Sequence, residues 1–385
     1  MKNKRIILSK KVIDMAPSGI RAFFDLVLGM KDVISLGVGE PDFVTPWNIR
    51  ETAIHFIEQG FTTYTSNKGL NKLRLQISRF LEDRHDLHYS PEDEILITVG
   101  VSEALDLAVR SIINPGDEVL IPQPCYVSYA PVVHMAYGRP KFLSTTSDNN
   151  FKITPEQIKK SCTQKTKAII LNYPANPTGI SYTRSELAKI VNACLENNII
   201  IISDEIYDEL TYDFEHTPLV TLKGTKKNAI YLNGFSKAYA MTGWRVGYAC
   251  GPKELISAMT KIHQYTMLCT PTISQFAACE ALQGGVKSVL EMKKEYKRRR
   301  EFIFEGLNRL GLTVAKPQGA FYIFPSIKST GLSSIDFSNR LLKEKRVAVI
   351  PGTAFGKCGE GYIRISYASS LESLKEALLR MEEFL

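Results

Sequence analysis

The amino-acid sequence predicts an α/β fold with a large domain, built on a mostly parallel sheet covered by helices, and a smaller α+β domain. Residues 168–171 and 199–202 are short runs of apolar residues, which are typical of strands buried on both faces. Between them, Thr183 and Glu186 have the spacing of a capping box, which predicts the start of a crossover helix. A strand, a helix and a second strand in this order form a parallel pair in a covered sheet.

Length and composition indicate a globular protein with more than one core. At 385 residues the chain is too long for a single small core. Lysine and arginine exceed aspartate and glutamate by 48 − 40 = 8, and this small excess is spread along the chain, which argues against a nucleic-acid partner. We find neither a secretory signal nor an apolar run that approaches a membrane span. The seven cysteines form no Cys-x-x-Cys pair, so we expect a reducing, cytoplasmic location.

The first landmark is a short strand at residues 33–36 that breaks into a turn containing Gly37 and Gly39. Glycines at these positions would let the backbone approach a ligand closely, although a plain turn is an equally good interpretation. After Pro46 the pattern predicts a helix on which the apolar residues Ile49, Ala53, Ile54 and Ile57 share one face. Tyr64 lies in the polar loop beyond this helix, where a half-buried anchor is the ordinary interpretation.

A candidate anion site follows the predicted strand at residues 95–99. Gly100 forms the turn, and Ser102 is expected to cap the helix at residues 105–113. This order of elements points free backbone amides at an anion such as a phosphate, but it is also a common way to start any helix. After the next strand, Tyr126 ends a turn and would form the wall of a pocket.

Two polar residues follow the predicted parallel strands. Asn176 lies in the turn after residues 168–171, and Asp204 comes directly after residues 199–202 and a serine. Ligands of such sheets bind beyond the carboxyl ends of the strands. An unpaired carboxylate at that position is costly, so Asp204 is expected to have a cationic or hydrogen-bonding partner. A simple helix cap at the strand end is the alternative interpretation.

A further predicted strand at residues 229–234 leads to Lys237, with Ser236 before it and Arg245 eight residues after it. A lysine acts as a nucleophile only when its amine is partly unprotonated, which needs desolvation or a neighbouring cation. This segment could supply both, because it is apolar and glycine-rich. Taken alone, however, Lys237 is more simply one surface lysine among many.

The C-terminal part of the chain predicts the smaller domain. A long helix at residues 286–310 carries a basic run at 293–300, which is interpreted as a solvated face. Three strand-like segments then alternate with helical stretches, at residues 321–325, 347–351 and 362–367. In the last of them, Arg364 alternates with isoleucines and should face the opposite side. An arginine facing a cleft suits a carboxylate clamp, whereas one facing water is an ordinary surface residue.

Together these residues supply an amine, a carboxylate, hydrogen-bonding side chains, an anion site and an arginine. The sequence has no cluster with metal-ligand spacing, no Ser-His-Asp arrangement, no Walker loop and no dinucleotide fingerprint. A lysine with a carboxylate and a phosphate site is the set that a pyridoxal-phosphate enzyme needs.

From about residue 33 to residue 367, the chain resembles the class I/II aminotransferases of the fold type I pyridoxal-phosphate family. Residues 236–245 resemble the Schiff-base motif of that family, and residues 172–179 and 204–207 resemble two further signatures in the same order. The resemblance implies an aminotransferase with pyridoxal 5′-phosphate as its cofactor. The amino group of an L-amino acid would pass to a 2-oxo acid.

The resemblance also implies a role for each motif residue. Lys237 would hold the cofactor and then move the proton, Asp204 would pair with the pyridine nitrogen, and Tyr207 and Asn176 would bind the phenolic oxygen. Tyr126 would stack on the ring. The phosphate would be held by the backbone of Val101 and by the side chains of Ser102, Ser236 and Arg245.

The family resemblance further implies how the substrate and a second subunit bind. Arg364, the backbone near Gly39 and the side chain of Asn176 would clamp the α-carboxylate of the substrate. Tyr64 would reach the phosphate of the neighbouring subunit, which implies a homodimer with shared active sites. The large domain would span residues 46–285, the small domain 15–45 with 286–385, and residues 1–14 would be an arm that could lie on the partner.

The substrate is less well determined by the sequence. We find no second arginine for a side-chain carboxylate. The apolar character of the candidate gate and pocket residues Ser18, Gly19, Ile20, Phe321 and Tyr322 favours an aromatic or other large donor, with aspartate kept open and 2-oxoglutarate as acceptor. A carbon-sulfur β-lyase on the same fold is the alternative. A ligand-sensing module of a transcription regulator is disfavoured, because only about thirty residues precede the first family strand.

Overall fold

The computed structural model describes residues 8–15, 17, 19–20 and 29–385. Its strands are β1 (Ile34–Ser35), β2 (Ile95–Thr98), β3 (Glu118–Gln123), β4 (Arg139–Ser144), β5 (Thr166–Asn172), β6 (Ile200–Asp204), β7 (Ala229–Gly234), β8 (Gly247–Cys250), β9 (Tyr322–Ile323), β10 (Val347–Ala348), β11 (Ile350–Pro351) and β12 (Ile363–Ser366). Strands β2 to β8 form one seven-stranded sheet in the order β2-β8-β7-β6-β5-β3-β4. Only β8 runs antiparallel to its neighbours, so the predicted mostly parallel sheet is confirmed.

The helices of the described residues pack against this sheet, against the C-terminal strands or against one another. They are α1 (Lys10–Ile13), α2 (Trp47–Glu58), α3 (Asn71–His85), α4 (Gly100–Ile112), α5 (Tyr129–Met135), α6 (Pro155–Ser161), α7 (Arg184–Glu196), α8 (Lys253–Thr266), α9 (Thr272–Gly284), α10 (Val286–Arg309), α11 (Ser334–Lys345) and α12 (Leu371–Glu382). The capping box at the start of α7 is confirmed, since Thr183 and Glu186 satisfy each other's backbone amides.

Alternate residues of each central strand enter different cores, because successive side chains of a strand point to opposite faces. In β5, Ile169 and Leu171 pack with one cluster of helices, whereas Ala168 and Ile170 pack with another. All four side chains are buried. The apolar runs of the sequence therefore form strands that are covered on both faces, as predicted.

A third core gathers around the C-terminal strands. It joins β9 and β12 to α10 and α12, and it also takes in Leu36 near the N-terminus. Strands β11, β12 and β9 form an antiparallel sheet, while β1 pairs with β10 in parallel. Segments from both ends of the chain thus pack together outside the large sheet, and the division into two domains at residues 46 and 286 stays a prediction.

The expected apolar face of α2 is only partly buried. Ile49 and Ala53 enter the core, whereas Ile54 is 47% and Ile57 54% exposed. The apolar side of the helix is wider than the surface that the rest of the chain covers. Phe61 and Tyr64, beyond the end of α2, are also exposed, and the interpretation of Tyr64 as a half-buried anchor is wrong.

The basic run of α10 is not simply a solvated face. Arg299 and Arg300 are buried, and each forms a close ion pair: Arg299 lies 2.8 Å from Asp42, and Arg300 binds Asp213 through two nitrogens. Tyr296, on the same side of the helix, is fully buried. The sequence could not reveal these carboxylate partners, because they lie far from α10 along the chain. The run therefore ties α10 to the segments around Asp42 and Asp213.

The N-terminal arm is described only in part. Residues 1–7 lie outside the described residues, and so do Ser18 and residues 21–28. Within the described part of the arm, the amine of Lys11 in α1 donates to the carbonyl of His134 at 2.5 Å and lies over the ring of Tyr137. This segment contacts its own chain near the end of α5.

Three features of the described residues bear on the class of protein. No helix within them is long and apolar enough to cross a membrane. Across the same residues, no three histidine, cysteine, aspartate or glutamate side chains are grouped so that they could hold a metal ion. All seven cysteines are free thiols.

Candidate active site

The carboxyl ends of three neighbouring strands meet at one edge of the large sheet. Asn172 at the end of β5 lies beside Asp204 at the end of β6, and Asp204 lies beside Leu232 in β7. Strand β7 ends at Gly234 and leads directly to Lys237. This edge collects most of the polar residues that the sequence singled out, because strands of a parallel sheet all end on the same side.

The amine of Lys237 is partly enclosed and donates a hydrogen bond to the carbonyl of Gly39 at 2.7 Å. Burial lowers the pKa of Lys237 to about 8, and the guanidinium groups of Arg364 and Arg245 act in the same direction, while the carboxylate of Glu40 opposes them. A fraction of the amine is therefore unprotonated near neutral pH. This is the condition for a nucleophilic or proton-accepting lysine.

Asp204 has the hydrogen-bonding partner that its burial requires. The hydroxyl of Tyr129 donates to its carboxylate at 2.7 Å, and the amide of Ile206 donates at 3.4 Å. Burial raises the pKa of Asp204 to about 6, and both hydrogen bonds act against this rise. The carboxylate caps the following turn and also faces the site, so the two interpretations of this residue are compatible. Tyr129 itself was missed, since no local pattern marks it.

Asn176 and Arg364 form the opposite wall of the site. The guanidinium of Arg364 donates to the side-chain oxygen of Asn176 at 2.9 Å and to the carbonyl of Gly37 at 2.6 Å. It lies between the rings of Tyr322 and Phe355, at 4.5 and 4.9 Å from their centroids. Arg364 is only 2% exposed, so it does not face bulk water. Such a planar, buried donor is suited to bind a carboxylate.

Tyr207 and Tyr126 bring aromatic side chains to the site. The hydroxyl of Tyr207 lies 2.9 Å from the hydroxyl of Tyr322, and both residues are buried. Burial holds the pKa of Tyr207 well above its ordinary value. The ring of Tyr126 is half-buried and packs edge-on against Tyr129. Sequence reasoning had placed Tyr322 only among the pocket residues and gave no hint of its contact with Tyr207.

The candidate anion site differs in detail from the prediction. Helix α4 begins at Gly100, so Ser102 lies inside the first turn and is not the cap. The carboxylate of Glu103 instead accepts from the amide of Val99 at 2.5 Å, and His263 lies 2.6 Å from its other oxygen. The expectation of a serine cap is therefore wrong, and Glu103 with His263 is a buried pair that the sequence did not reveal. Ser102 itself is exposed on this turn.

Arg245 lies beside this turn. Its guanidinium packs against Gly100, where a Cβ atom would lie 2.6 Å from a guanidinium nitrogen. Gly100 also has a φ of +72°, so a side chain there would be strained as well as obstructed. Arg245 precedes β8, which begins at Gly247. The backbone of Val101 and the buried Ser236 complete the surroundings.

The remaining predicted residues are less informative. Tyr64 is 82% exposed on the surface of the single chain. Gly19 lies against Ala354, and Ile20 packs against the cluster that contains Phe324 and Phe355. Ser18, the third candidate gate residue, lies outside the described residues.

The fold is an α/β fold whose large sheet carries a partly buried lysine and a buried carboxylate at one edge. The amine of Lys237, the carboxylate of Asp204 and the start of α4 lie at the carboxyl edge of the large sheet, and Arg364 of β12 contacts Asn176 beside them. This arrangement can attack a carbonyl group, neutralise a cationic ring nitrogen, bind a carboxylate and hold a phosphate.

Comparisons with known proteins identify the class more closely. The family model described as aminotransferase class I and II matches residues 31–381. The putative aminotransferase YugH of Bacillus subtilis (strain 168) is 53% identical over 378 residues, covering 98% of both chains. The aspartate aminotransferase of Pyrococcus abyssi is 46% identical and covers 96% of both. The crystal structure of an aromatic aminotransferase from Pyrococcus horikoshii superposes with a TM-score of 0.90 at 44% identity, covering 95% of this chain and 98% of that one.

The chain therefore belongs to the aminotransferase class I and II family. The resemblance seen in the sequence is confirmed, and so is the prediction of an aminotransferase. None of these comparisons favours the β-lyase alternative.

Proposed function

We propose that this enzyme uses pyridoxal 5′-phosphate to move the amino group of an L-amino acid to a 2-oxo acid such as 2-oxoglutarate. The observation that carries the proposal is the position of the Lys237 amine. It lies at the end of β7 with a pKa lowered to about 8, and the carboxylate of Asp204 ends the neighbouring strand. An amine and a carboxylate placed in this way fit the aldehyde and the ring nitrogen of this cofactor.

The anion site fits a phosphate group. The first turn of α4 offers backbone amides at Val101 and Ser102, and the guanidinium of Arg245 lies directly over Gly100. The glycine leaves a space that any Cβ atom would fill. When bound, the cofactor would act as an electron sink that stabilises negative charge on the α-carbon of the substrate. Ser236 would add a further hydrogen bond to the phosphate.

The side chains of the site would then act on the substrate in defined ways. Arg364 and Asn176, joined by a 2.9 Å hydrogen bond, would bind the α-carboxylate and fix the orientation of the α-carbon. Lys237 would remove the proton from that carbon with its Nζ atom, for which a pKa near neutrality is suitable. Asp204 would remain ionised beside the ring nitrogen, and Tyr207 would donate its hydroxyl proton to the phenolic oxygen.

For the donor we propose an aromatic amino acid, aspartate or another large L-amino acid. Both the aspartate aminotransferase of Pyrococcus abyssi and the aromatic aminotransferase of Pyrococcus horikoshii are close relatives of this chain. Tyr322 and Phe355 supply aromatic surface next to Arg364. These contacts favour an aromatic donor without excluding aspartate.

We further propose a cytoplasmic homodimer in which the exposed apolar side chains of α2 meet the second subunit. Ile54 and Ile57 in α2 and Tyr64 in the loop beyond it are all exposed. Asn67 of the same loop binds the carbonyl of Leu268, so the exposed Met267 lies close to this surface. Exposed apolar side chains of this kind are suited to a subunit interface. The seven free thiols favour the reducing cytoplasm.

The function is tested by mixing the purified, cofactor-loaded enzyme with a panel of amino acids and no oxo acid. A transaminase should convert its bound cofactor once, seen as a change in visible absorbance, and 2-oxoglutarate should reverse the change. Release of pyruvate and thiol from cystathionine without any oxo acid would instead identify the β-lyase. Rates across the panel would rank the donors.

The hydrogen bond from Tyr129 predicts a pH effect. Because that bond lowers the pKa of Asp204, Tyr129→Phe should raise this pKa above its value of about 6. The carboxylate of Asp204 becomes protonated as the pH falls. In the variant this protonation occurs at a higher pH than in the wild type. Relative to the wild type, Tyr129→Phe should therefore weaken the binding of pyridoxal phosphate to the apoenzyme about tenfold more at pH 6 than at pH 8.

Titration of the apoenzyme with cofactor at both pH values checks this expectation. Tyr182→Phe is the matched control, since it removes another buried hydroxyl, one that accepts from the amide of Ile153 at 3.2 Å. Equal weakening of Tyr129→Phe at the two pH values would contradict the role assigned to the hydrogen bond.

A further inference from the structure

Tyr322 reaches the site from the C-terminal part of the chain, through its contact with Tyr207. It begins β9, outside the large sheet, and its side chain is 1% exposed. Its hydroxyl lies 2.9 Å from the hydroxyl of Tyr207 and forms a hydrogen bond with it. Within residues 29–385 the Tyr322 hydroxyl makes no other hydrogen bond. The contact joins two buried phenols whose residues are 115 positions apart.

The direction of this hydrogen bond matters, because a tyrosine hydroxyl has a single proton to donate. If Tyr207 donated that proton to Tyr322, it would have none left for a ligand. If Tyr322 is the donor, the proton of Tyr207 is free to point into the site. The proposed function gives Tyr207 a donor's role toward the phenolic oxygen of the cofactor, and the present inference rests on it.

We propose that Tyr322 is a positioning residue, which donates its hydroxyl proton to Tyr207 and so directs the proton of Tyr207 toward the cofactor. Tyr322 would not need to touch the reacting atoms. Its effect would pass through one hydrogen bond, from the strand β9 to the phenol that follows β6. The C-terminal part of the chain would thereby control the direction in which the hydroxyl of Tyr207, after strand β6, donates its proton.

The surroundings of the two phenols favour this direction. The guanidinium of Arg364 lies 4.5 Å from the centre of the Tyr322 ring. Burial raises the pKa of Tyr322, and the nearby Arg364 cation acts against that rise. Burial together with Tyr322 holds the pKa of Tyr207 well above its ordinary range. A cation against the ring of Tyr322 draws electron density from its hydroxyl and makes that hydroxyl a better proton donor.

The ring of Tyr322 is also held in place. Tyr207 packs against it at 5.8 Å between ring centres and an angle of 80°, and Phe321 packs at 4.9 Å. A Cβ atom at Gly39 would lie 2.7 Å from the Tyr322 hydroxyl, so the backbone of Gly39 closes the space on that side. The same glycine accepts the hydrogen bond from Lys237. The hydroxyl therefore has little freedom to turn away from Tyr207.

The test is a pH titration of the visible absorbance of the bound cofactor, in the substrate-free holoenzyme. A hydrogen bond donated to the phenolic oxygen lowers the basicity of the nitrogen that Lys237 shares with the cofactor. Tyr322→Phe keeps the ring and removes the donor, so donation from Tyr207 becomes weaker. The titration midpoint should move to higher pH by about half a unit to one unit.

A double-mutant cycle makes the test specific for the proposed route. With Tyr207→Phe already in place, Tyr322→Phe should cause no further shift, because the phenol that transmits its effect is gone. Tyr367→Phe is the matched control. Tyr367 belongs to the same core, and its buried hydroxyl donates to the carbonyl of Ala320 at 3.0 Å, so its loss should leave the midpoint unchanged.

Each outcome decides the inference. The inference would be overturned if Tyr322→Phe left the titration midpoint unchanged. It would also be overturned if Tyr322→Phe shifted the midpoint equally in the enzyme with Tyr207 and in the Tyr207→Phe variant. A wild-type enzyme that binds no pyridoxal phosphate would overturn the proposed function itself, and that failure is visible before any variant is made.

Discussion

Replacing Lys237 with alanine should abolish transamination. The variant loses both the amine that would hold the cofactor and the base that would move the α-proton. General acid-base catalysis alone typically contributes about 10²- to 10⁴-fold, so we expect a loss of at least about 10³-fold in kcat, measured by steady-state production of the oxo acid. The visible absorbance that depends on attachment of the cofactor to Lys237 should also disappear.

The fold should survive this substitution, since within the described residues the amine of Lys237 makes a single hydrogen bond, to the carbonyl of Gly39. Thermal unfolding and bound cofactor should be measured together with activity. Lys253→Ala is a suitable control, because Lys253 is an exposed lysine paired with Asp93 at the start of α8. Full activity of Lys237→Ala would refute the assignment of this lysine.

Replacing Arg364 with alanine should mainly raise the KM for the amino acid. Its guanidinium is buried beside Asn176 and Gly37, where water competes poorly for a bound carboxylate. A hydrogen bond to a charged group contributes about 1.5–3 kcal/mol, and each 1.4 kcal/mol corresponds to about tenfold in affinity. The KM should therefore rise by about tenfold to a hundredfold, as measured by initial rates over a range of donor concentrations.

Arg364→Lys separates charge from geometry. Lysine keeps the positive charge but lacks the planar pair of donors, so this variant should recover only part of the affinity. Arg340→Ala removes an exposed arginine of α11 and should leave the KM unchanged. If the KM of Arg364→Ala equalled that of the wild type, the α-carboxylate would have to bind elsewhere.

Most of the fold could be predicted from local sequence. The apolar runs of β5 and β6 appear almost at their predicted positions, because strands buried on both faces need continuous apolar residues. The capping box of α7 was equally clear. The burial of side chains in α2 and α10 could not be predicted in the same way. Whether Ile54 meets a core, or Arg300 meets a carboxylate, depends on segments that are distant in the sequence.

The same distinction applies to the candidate site. Lys237, Asp204 and Asn176 lie in motifs that follow predicted strands, so their proximity could be expected from the parallel sheet. Their supporting partners could not. Tyr129 lies 75 residues from Asp204, and Tyr322 reaches Tyr207 from the C-terminal part of the chain. Such contacts depend on how the segments pack, and no short motif records them.

The most direct test of the account is to locate the lysine that carries the cofactor. Borohydride reduces the double bond between a lysine nitrogen and pyridoxal phosphate to a stable single bond, and the labelled peptide can then be identified by mass spectrometry. The account predicts that the added mass lies on Lys237. A label on any other lysine, or no label on an enzyme that still transaminates, would contradict it.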